Sequence, residues 1–141
     1  MRKIVLLFCL LLAAFSAQAI TQKITIHVAG IKEAKGNILI GVYDDPKNFA
    51  KVGRQIKLIS VPADSETIKV TITDLKEGEY AFTVLHDKNA NGKCDYNLLG
   101  IPKESIAFSN NVKPKLKVPS FNDVKVDVTD GMILRIKLLS F

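Results

Sequence analysis

Apolar and polar residues alternate with a period of two along most of this chain. From Gln22 to Val28, Ile24, Ile26 and Val28 fall on one side while Thr25 and His27 fall on the other, as in a strand with one buried face. Ala29 to Gly36 is a polar turn. In Asn37 to Tyr43, Ile38, Ile40 and Val42 share a face with little polar residue opposite, which predicts a central strand covered on both sides. Arg54 to Val61 is a less regular strand. Thr67 to Thr73 alternates most cleanly, with Ile68, Val70 and Ile72 inward, and Tyr80, Phe82 and Val84 share the core face of the next strand. Asp123 to Val128 and Met132 to Leu139 alternate again. Asp130-Gly131 between them predicts a hairpin, because a tight two-residue turn needs positive φ at both central positions.

Turn chemistry separates these segments. Asp45 is placed to cap a short helical turn opened by Pro46, with Phe49 packed inward; a cap is the simpler reading of Asp44 and Asp45 than metal ligation. Leu75, Gly78 and Tyr80 resemble the tyrosine corner of Greek-key sandwiches, in which the ring buries at the start of a strand. Seven strands and no long helix predict an all-β fold: a seven-stranded antiparallel β-sandwich of immunoglobulin-like or transthyretin-like Greek-key type, spanning residues 20–141 as one domain.

Residues 1–19 do not belong to that fold. Arg2 and Lys3, the apolar run Ile4 to Phe15 and the small residues Ala17 and Ala19 make a signal peptide, cleaved near Ala19. The run is too short for a membrane span. The mature chain is therefore expected outside the cytoplasm, periplasmic or secreted. Cys9 leaves with the leader, and Cys94 alone makes no internal disulfide; its simplest reading is a small buried hydrophobe. The formal net charge of +6 falls to +4 without Arg2 and Lys3. Its densest cluster, Lys113, Lys115 and Lys117, has no interleaved aromatics, which argues against nucleic acid; it reads as a solvated loop or edge, with contact to an anionic envelope surface as the alternative.

Between His86 and Asn122 lie more than thirty residues without a convincing strand or helix pattern. Structureless stretches that long are uncommon in compact domains, and this one carries too many apolar residues for a solvated tail. It is expected to fold over one end or face of the sandwich. It opens with Asp87-Lys88-Asn89-Ala90-Asn91-Gly92-Lys93-Cys94-Asp95. Counted from Asp87, oxygen-bearing side chains stand at the first, third, fifth and ninth positions of a calcium loop, Gly92 at the sixth, and Lys93 offers its carbonyl at the seventh. Leu98 stands where a bidentate glutamate belongs and flanking helices are missing, so this is no EF-hand. Glu104 is the nearest acidic residue to close the site, with Asn97, Asn110 or Asn111 as further oxygen donors. Two formal carboxylates beside Lys88 and Lys93 predict weak Ca2+ binding, with Kd about 0.1–1 mM. The competing reading is an Asn-Gly turn whose side chains bond their own backbone.

Three blocks in order, His86 to Asp95, Leu99 to Glu104 and Ala107 to Asn111, together with Gly36 to Asp44, Leu75 to Tyr80 and Pro119-Ser120-Phe121, resemble the secreted bacterial family called domain of unknown function 2141. Cys94 and the Lys113–Lys117 stretch depart from the family's pattern without touching the expected ligands. The resemblance implies an exported small β domain and names no activity.

Three functional classes follow. The first is a non-enzymatic exported module, stabilised by calcium, whose Leu98 to Phe121 segment presents a surface to an unknown protein or glycan. A hydrolase using His86 with Asp87, Glu104 and a metal or Ser109 is the second, weakened by the lack of a nucleophile elbow and of a second nearby histidine. The third is a purely structural domain.

Overall fold

The computed structural model describes residues 20–141 except residue 116. Expectations that fall on residues 1–19 lie outside the described residues. Eight strands run in the order β1 (Thr21–Ala29), β2 (Asn37–Tyr43), β3 (Lys57–Pro62), β4 (Thr67–Lys76), β5 (Gly78–Asp87), β6 (Ile106–Phe108), β7 (Val126–Val128) and β8 (Ile133–Lys137), with a short helix α1 (Phe121–Val124) before β7. They form two sheets: β4-β1-β8, and β3-β2-β5-β6 with β7 also paired to β5. No helix among the described residues is long and apolar enough to cross a membrane.

Alternation places the core. Ile24, Ile26 and Val28 of β1, Val70 and Ile72 of β4 and Ile136 of β8 face Ile38, Ile40 and Val42 of β2 and Tyr80, Phe82 and Val84 of β5, all buried in one cluster. Leu75 and Tyr80, at the crossing from one sheet to the other, are both buried in it, as the corner pattern predicts for the ring. Full burial of a side chain of the Val, Ile or Phe class is worth about 1.5–3 kcal/mol, so this shared layer is the main force closing the sheets on each other.

The structure departs from the sequence expectation in three places. There are eight strands rather than seven, because Ile106–Phe108 pairs with Thr83–Leu85 inside the stretch expected to be irregular. The sandwich is not wholly antiparallel, since β8 runs parallel to β1 from Thr25↔Ile133 to Ala29↔Lys137. The predicted last hairpin is absent: β7 pairs with β5 (Gly78↔Val128 to Tyr80↔Val126), while β8 joins the other sheet. Asp130-Gly131 does turn the chain, with Gly131 at φ 75°, but the turn is tied to β1 by Lys23 N–H donating to Asp130 Oδ1 (2.8 Å) and Gly131 N–H donating to the Lys23 carbonyl (2.8 Å). Local turn chemistry fixes that the chain reverses. Which free strand edge each arm then meets is a tertiary choice. The expected strand over Asp123–Val128 likewise begins as α1, which Ser120 and Asp123 close at its N-terminus by a reciprocal capping box.

β2 is buried along nearly its whole length, on both faces. Its outward residues are Leu39, Gly41 and Tyr43, paired with Leu85, Thr83 and Ala81 of β5. At the Tyr43 end this outer face is roofed by a second cluster in which Phe49 meets Tyr43, Phe121 and Phe108 at ring-centroid distances of 5.5, 6.0 and 6.2 Å. Phe49 thus points inward as predicted. It does so from a turn rather than a helix, held by Asp45, whose Oδ1 accepts from Lys47 N–H (2.8 Å) and whose carbonyl accepts from Asn48 N–H (3.1 Å). The Leu39–Leu85 end of the face has no such roof of aromatics, and the loop after β5 rises beside it.

Candidate functional site

β5 delivers Asp87 at its last position, paired with Asn37 at the start of β2. Asp87 is almost fully buried, and its two carboxylate oxygens accept from the backbone N–H groups of Asn91 (3.1 Å) and Gly92 (2.8 Å). Asn89 Oδ1 accepts from Asn91 N–H (3.2 Å), and Asn91 Oδ1 from Lys93 N–H (3.0 Å). The result is a series of nested turns, each closed by the side chain two to five residues before it, with Ala90 and Gly92 in the left-handed region. The Nδ2 groups of Asn89 and Asn91 both donate to Asp95 Oδ2, at 2.7 and 2.9 Å. Residues 87, 89, 91 and 95 are thus joined by hydrogen bonds, with the amide nitrogens of Asn89 and Asn91 turned to Asp95 and their oxygens to the backbone.

Glu104 joins them, in a role the sequence did not specify. Its Oε1 accepts from Lys88 N–H (2.9 Å) and its Oε2 from Asp95 N–H (3.1 Å), so one buried carboxylate clamps both ends of the turn. Lys88 Nζ also pairs with Glu33 at 2.7 Å, and that hydrogen bond holds the Glu33 carboxyl below the usual carboxylate range. Lys93 is exposed and contributes its backbone. Asn97 serves its own turn, its Oδ1 accepting from Leu99 and Ile101 N–H groups, and closes a small hairpin in which Tyr96 bridges Pro102. Asn110 and Asn111 are not brought to this loop; their amides bond the backbone of Lys125, Arg135 and Lys137.

Oxygen donors for a hard cation would be Asp87, Asn89, Asn91, Asp95 and the Lys93 carbonyl. Among the described residues no three His, Cys, Asp or Glu side chains gather as a metal-ligand group. Asp87 and Glu104 already spend an acceptor site of every oxygen on the backbone, so the turn is closed by its own hydrogen bonds. Each carboxylate oxygen retains a second lone pair.

The residues of the hydrolase reading are dispersed. His86 is fully buried, with Nε2 donating to the Lys35 carbonyl at 2.8 Å and Nδ1 without a partner. Ser109 is also fully buried; its hydroxyl accepts from Phe82 N–H (3.0 Å) and donates to the Val124 carbonyl. Neither side chain touches the other or the carboxylates of the turn.

Beside the turn lies a feature that residue types alone did not single out. The unroofed end of the larger sheet is a groove of about 180 Å³ with Leu39, Gly41 and Leu85 in its floor, Leu58 and Ile106 on its flanks and Cys94 and Tyr96 at its rim. Tyr96, Ile106, Phe108 and Val118 are shared with an adjoining hollow of about 530 Å³ that runs under the 96–102 hairpin to Phe141. A side chain at Gly41 would close the floor, since its Cβ would stand 2.7 Å from Thr83 Oγ1. Burial pushes the Cys94 thiol up, with a hydrogen bond to Tyr96 acting against it and the charges of Glu104 and Asp95 adding to the rise. Around the opening Leu98 is fully exposed, and Leu99, Val52, Leu58 and Tyr96 are each more than half exposed. The signal available in sequence was β2, apolar on both faces with one small residue, Gly41, in the middle.

The model of the family described as an uncharacterized protein conserved in bacteria (DUF2141) matches residues 26–134, and the chain belongs to that family. The matched span runs from β1 to the start of β8 and contains the whole turn and the lining of the groove except Phe141. No curated protein and no solved structure matches the chain.

Proposed function

We propose that this protein is an exported, non-enzymatic binding module that holds an apolar ligand or side chain on the outer face of its larger sheet. The observation that carries this reading is the open groove over Leu39, Gly41 and Leu85, rimmed by apolar side chains that face solvent rather than the core. Large side chains left in water beside a concave apolar surface mark interaction sites. The lining is mostly aliphatic with few hydrogen-bonding groups, which suits an apolar ligand or a protein side chain better than a glycan. In this reading the nested turn and its Glu104 clamp hold the 96–102 hairpin at the groove's edge.

Calcium has a secondary place in the proposal. The turn supports it by converging Asp87, Asn89, Asn91 and Asp95, and the ion would tighten a loop already closed by hydrogen bonds. Hydrolysis with His86 and a metal or Ser109 finds no comparable support, because His86 and Ser109 are both fully buried.

The test is binding of N-phenyl-1-naphthylamine, a neutral probe that brightens in apolar surroundings. Saturable one-to-one binding is expected, weakened at least tenfold by Leu58→Asp or Tyr96→Ser. Both side chains are more than half exposed, so the fold should tolerate the changes. No saturable binding, or equal binding by both variants, refutes the reading.

A further inference from the structure

Charge around the groove is one-sided. Lys93 lines the part over Gly41, and Lys115 and Lys117 line the adjoining hollow, while no Asp or Glu is among the described residues lining either part. The carboxylates nearest in sequence stand behind the lining: Asp87 and Glu104 are buried with both oxygens on backbone amides, and Asp95, bound by two asparagine amides, reaches the groove only through its charge on Cys94. A continuous apolar trough thus ends among ammonium groups. The two parts share the walls Tyr96, Ile106, Phe108 and Val118, so a ligand extended from one to the other keeps an apolar wall throughout.

Resting on the binding-module reading above, we propose that the occupant is a single-chain anionic amphiphile, a free fatty acid, with its alkyl chain over Leu39, Gly41 and Leu85 and its carboxylate in the adjoining hollow, where Lys115 and Lys117 stand. An alkyl chain needs no hydrogen-bond partner, which matches a mostly aliphatic lining. A carboxylate head needs cations, which Lys115 and Lys117 supply in the lining of the hollow. The lysine cluster that reads in sequence as a solvated edge acquires a ligand in this assignment.

The experiment uses dodecanoate, decanoate and dodecyltrimethylammonium below their micellar concentrations, each displacing N-phenyl-1-naphthylamine. Dodecanoate should displace the probe one-to-one and at least tenfold more tightly than the cation of equal chain length. Decanoate should bind about fifteenfold more weakly than dodecanoate, since two methylenes are lost at about 0.8 kcal/mol each. The double variant Lys115→Glu, Lys117→Glu should lose dodecanoate at least tenfold and keep the neutral probe. Reversing Lys23, Lys69 and Lys76, on the smaller sheet, should change neither. Equal binding of the two head groups, indifference to the rim reversal, or binding of phosphatidylglycerol vesicles without displacement by monomeric dodecanoate would each overturn the assignment. Loss of the neutral probe's own binding site would instead sink the underlying reading, so the two failures are distinct.

Discussion

Replacing Glu104 removes both acceptors that hold the ends of the turn together. The carboxylate takes N–H groups of Lys88 and Asp95 at 2.9 and 3.1 Å, and the residue is only 5% exposed. A hydrogen bond to a charged partner contributes about 1.5–3 kcal/mol, so the pair amounts to about 3–6 kcal/mol. The turn lies at the surface and can open locally to hydrate the freed amides, which holds the cost of Glu104→Ala near the lower end, about 3 kcal/mol. Glu104→Gln keeps the shape and one acceptor but turns an amide donor toward a backbone donor, at about 2 kcal/mol. With a urea slope of about 1.5 kcal/mol per molar, the alanine variant should unfold about 2 M earlier, measured in EDTA so that no ion contributes. A loss below about 1 kcal/mol in EDTA would refute the clamp. The same assay carries the calcium arm: at ten times Kd, calcium should add about 1.4 kcal/mol to the native protein. Asp87→Ala and Asp95→Ala should abolish that increment, and Glu104→Gln decides whether Glu104 also closes the ion site, since loss of the increment in that variant would make it a ligand as well as a clamp. No increment up to about 10 mM calcium, ten times the weak end of the expected range, would remove the ion from the proposal.

Gly36 stands at φ +70°, and a Cβ there would meet the Asp87 carbonyl oxygen at 2.1 Å and Lys88 Cα at 2.7 Å. Left-handed strain of about 1–2 kcal/mol and overpacking of about 1–3 kcal/mol predict that Gly36→Ala costs about 3 kcal/mol in urea unfolding; a cost within about 0.5 kcal/mol of zero would show that β2 and the turn are not in contact. Burial raises the Cys94 thiol, so its alkylation by iodoacetamide should still be accelerating above about pH 9.5, roughly a unit past the ordinary thiol pKa, where an ordinary thiol has levelled off. Urea should restore the ordinary profile, and a native plateau at the usual pH would mean that the thiol is not desolvated.

The half-buried strands were legible because water on one face forces a two-residue period, as in Ile24, Ile26 and Val28 or Val70 and Ile72. The turn was legible because its chemistry is local: Asp87, Asn89 and Asn91 each bond an amide two to five residues ahead. Pairing partners were not legible. Val126–Val128 and Ile133–Lys137 both satisfy a strand pattern, and only the free edges of β5 and β1 decide that they separate rather than form a hairpin. β6 escaped notice because three residues, Ile106–Phe108, are too few to establish a period, and its strand status rests on a neighbour far back in the chain. Glu104 was singled out by proximity in sequence as a cation ligand, and its hydrogen bonds to the Lys88 and Asp95 amides are a further role that spacing alone did not indicate.

That use of Glu104 has a consequence for how binding and calcium relate. An EF-hand-like loop waits for an ion because its carboxylates repel one another until a cation arrives. Here Asp87 and Glu104 point at backbone N–H groups, and two asparagine amides face Asp95, so donors rather than an ion offset much of the negative charge. These bonds tie the turn to the 96–102 hairpin at the edge of the groove, where Leu98 and Leu99 are exposed. Those exposed leucines gain nothing from the fold that carries them. Their position follows from a rigid turn whose hydrogen bonds are complete, which leaves the surface beside it free to serve a ligand.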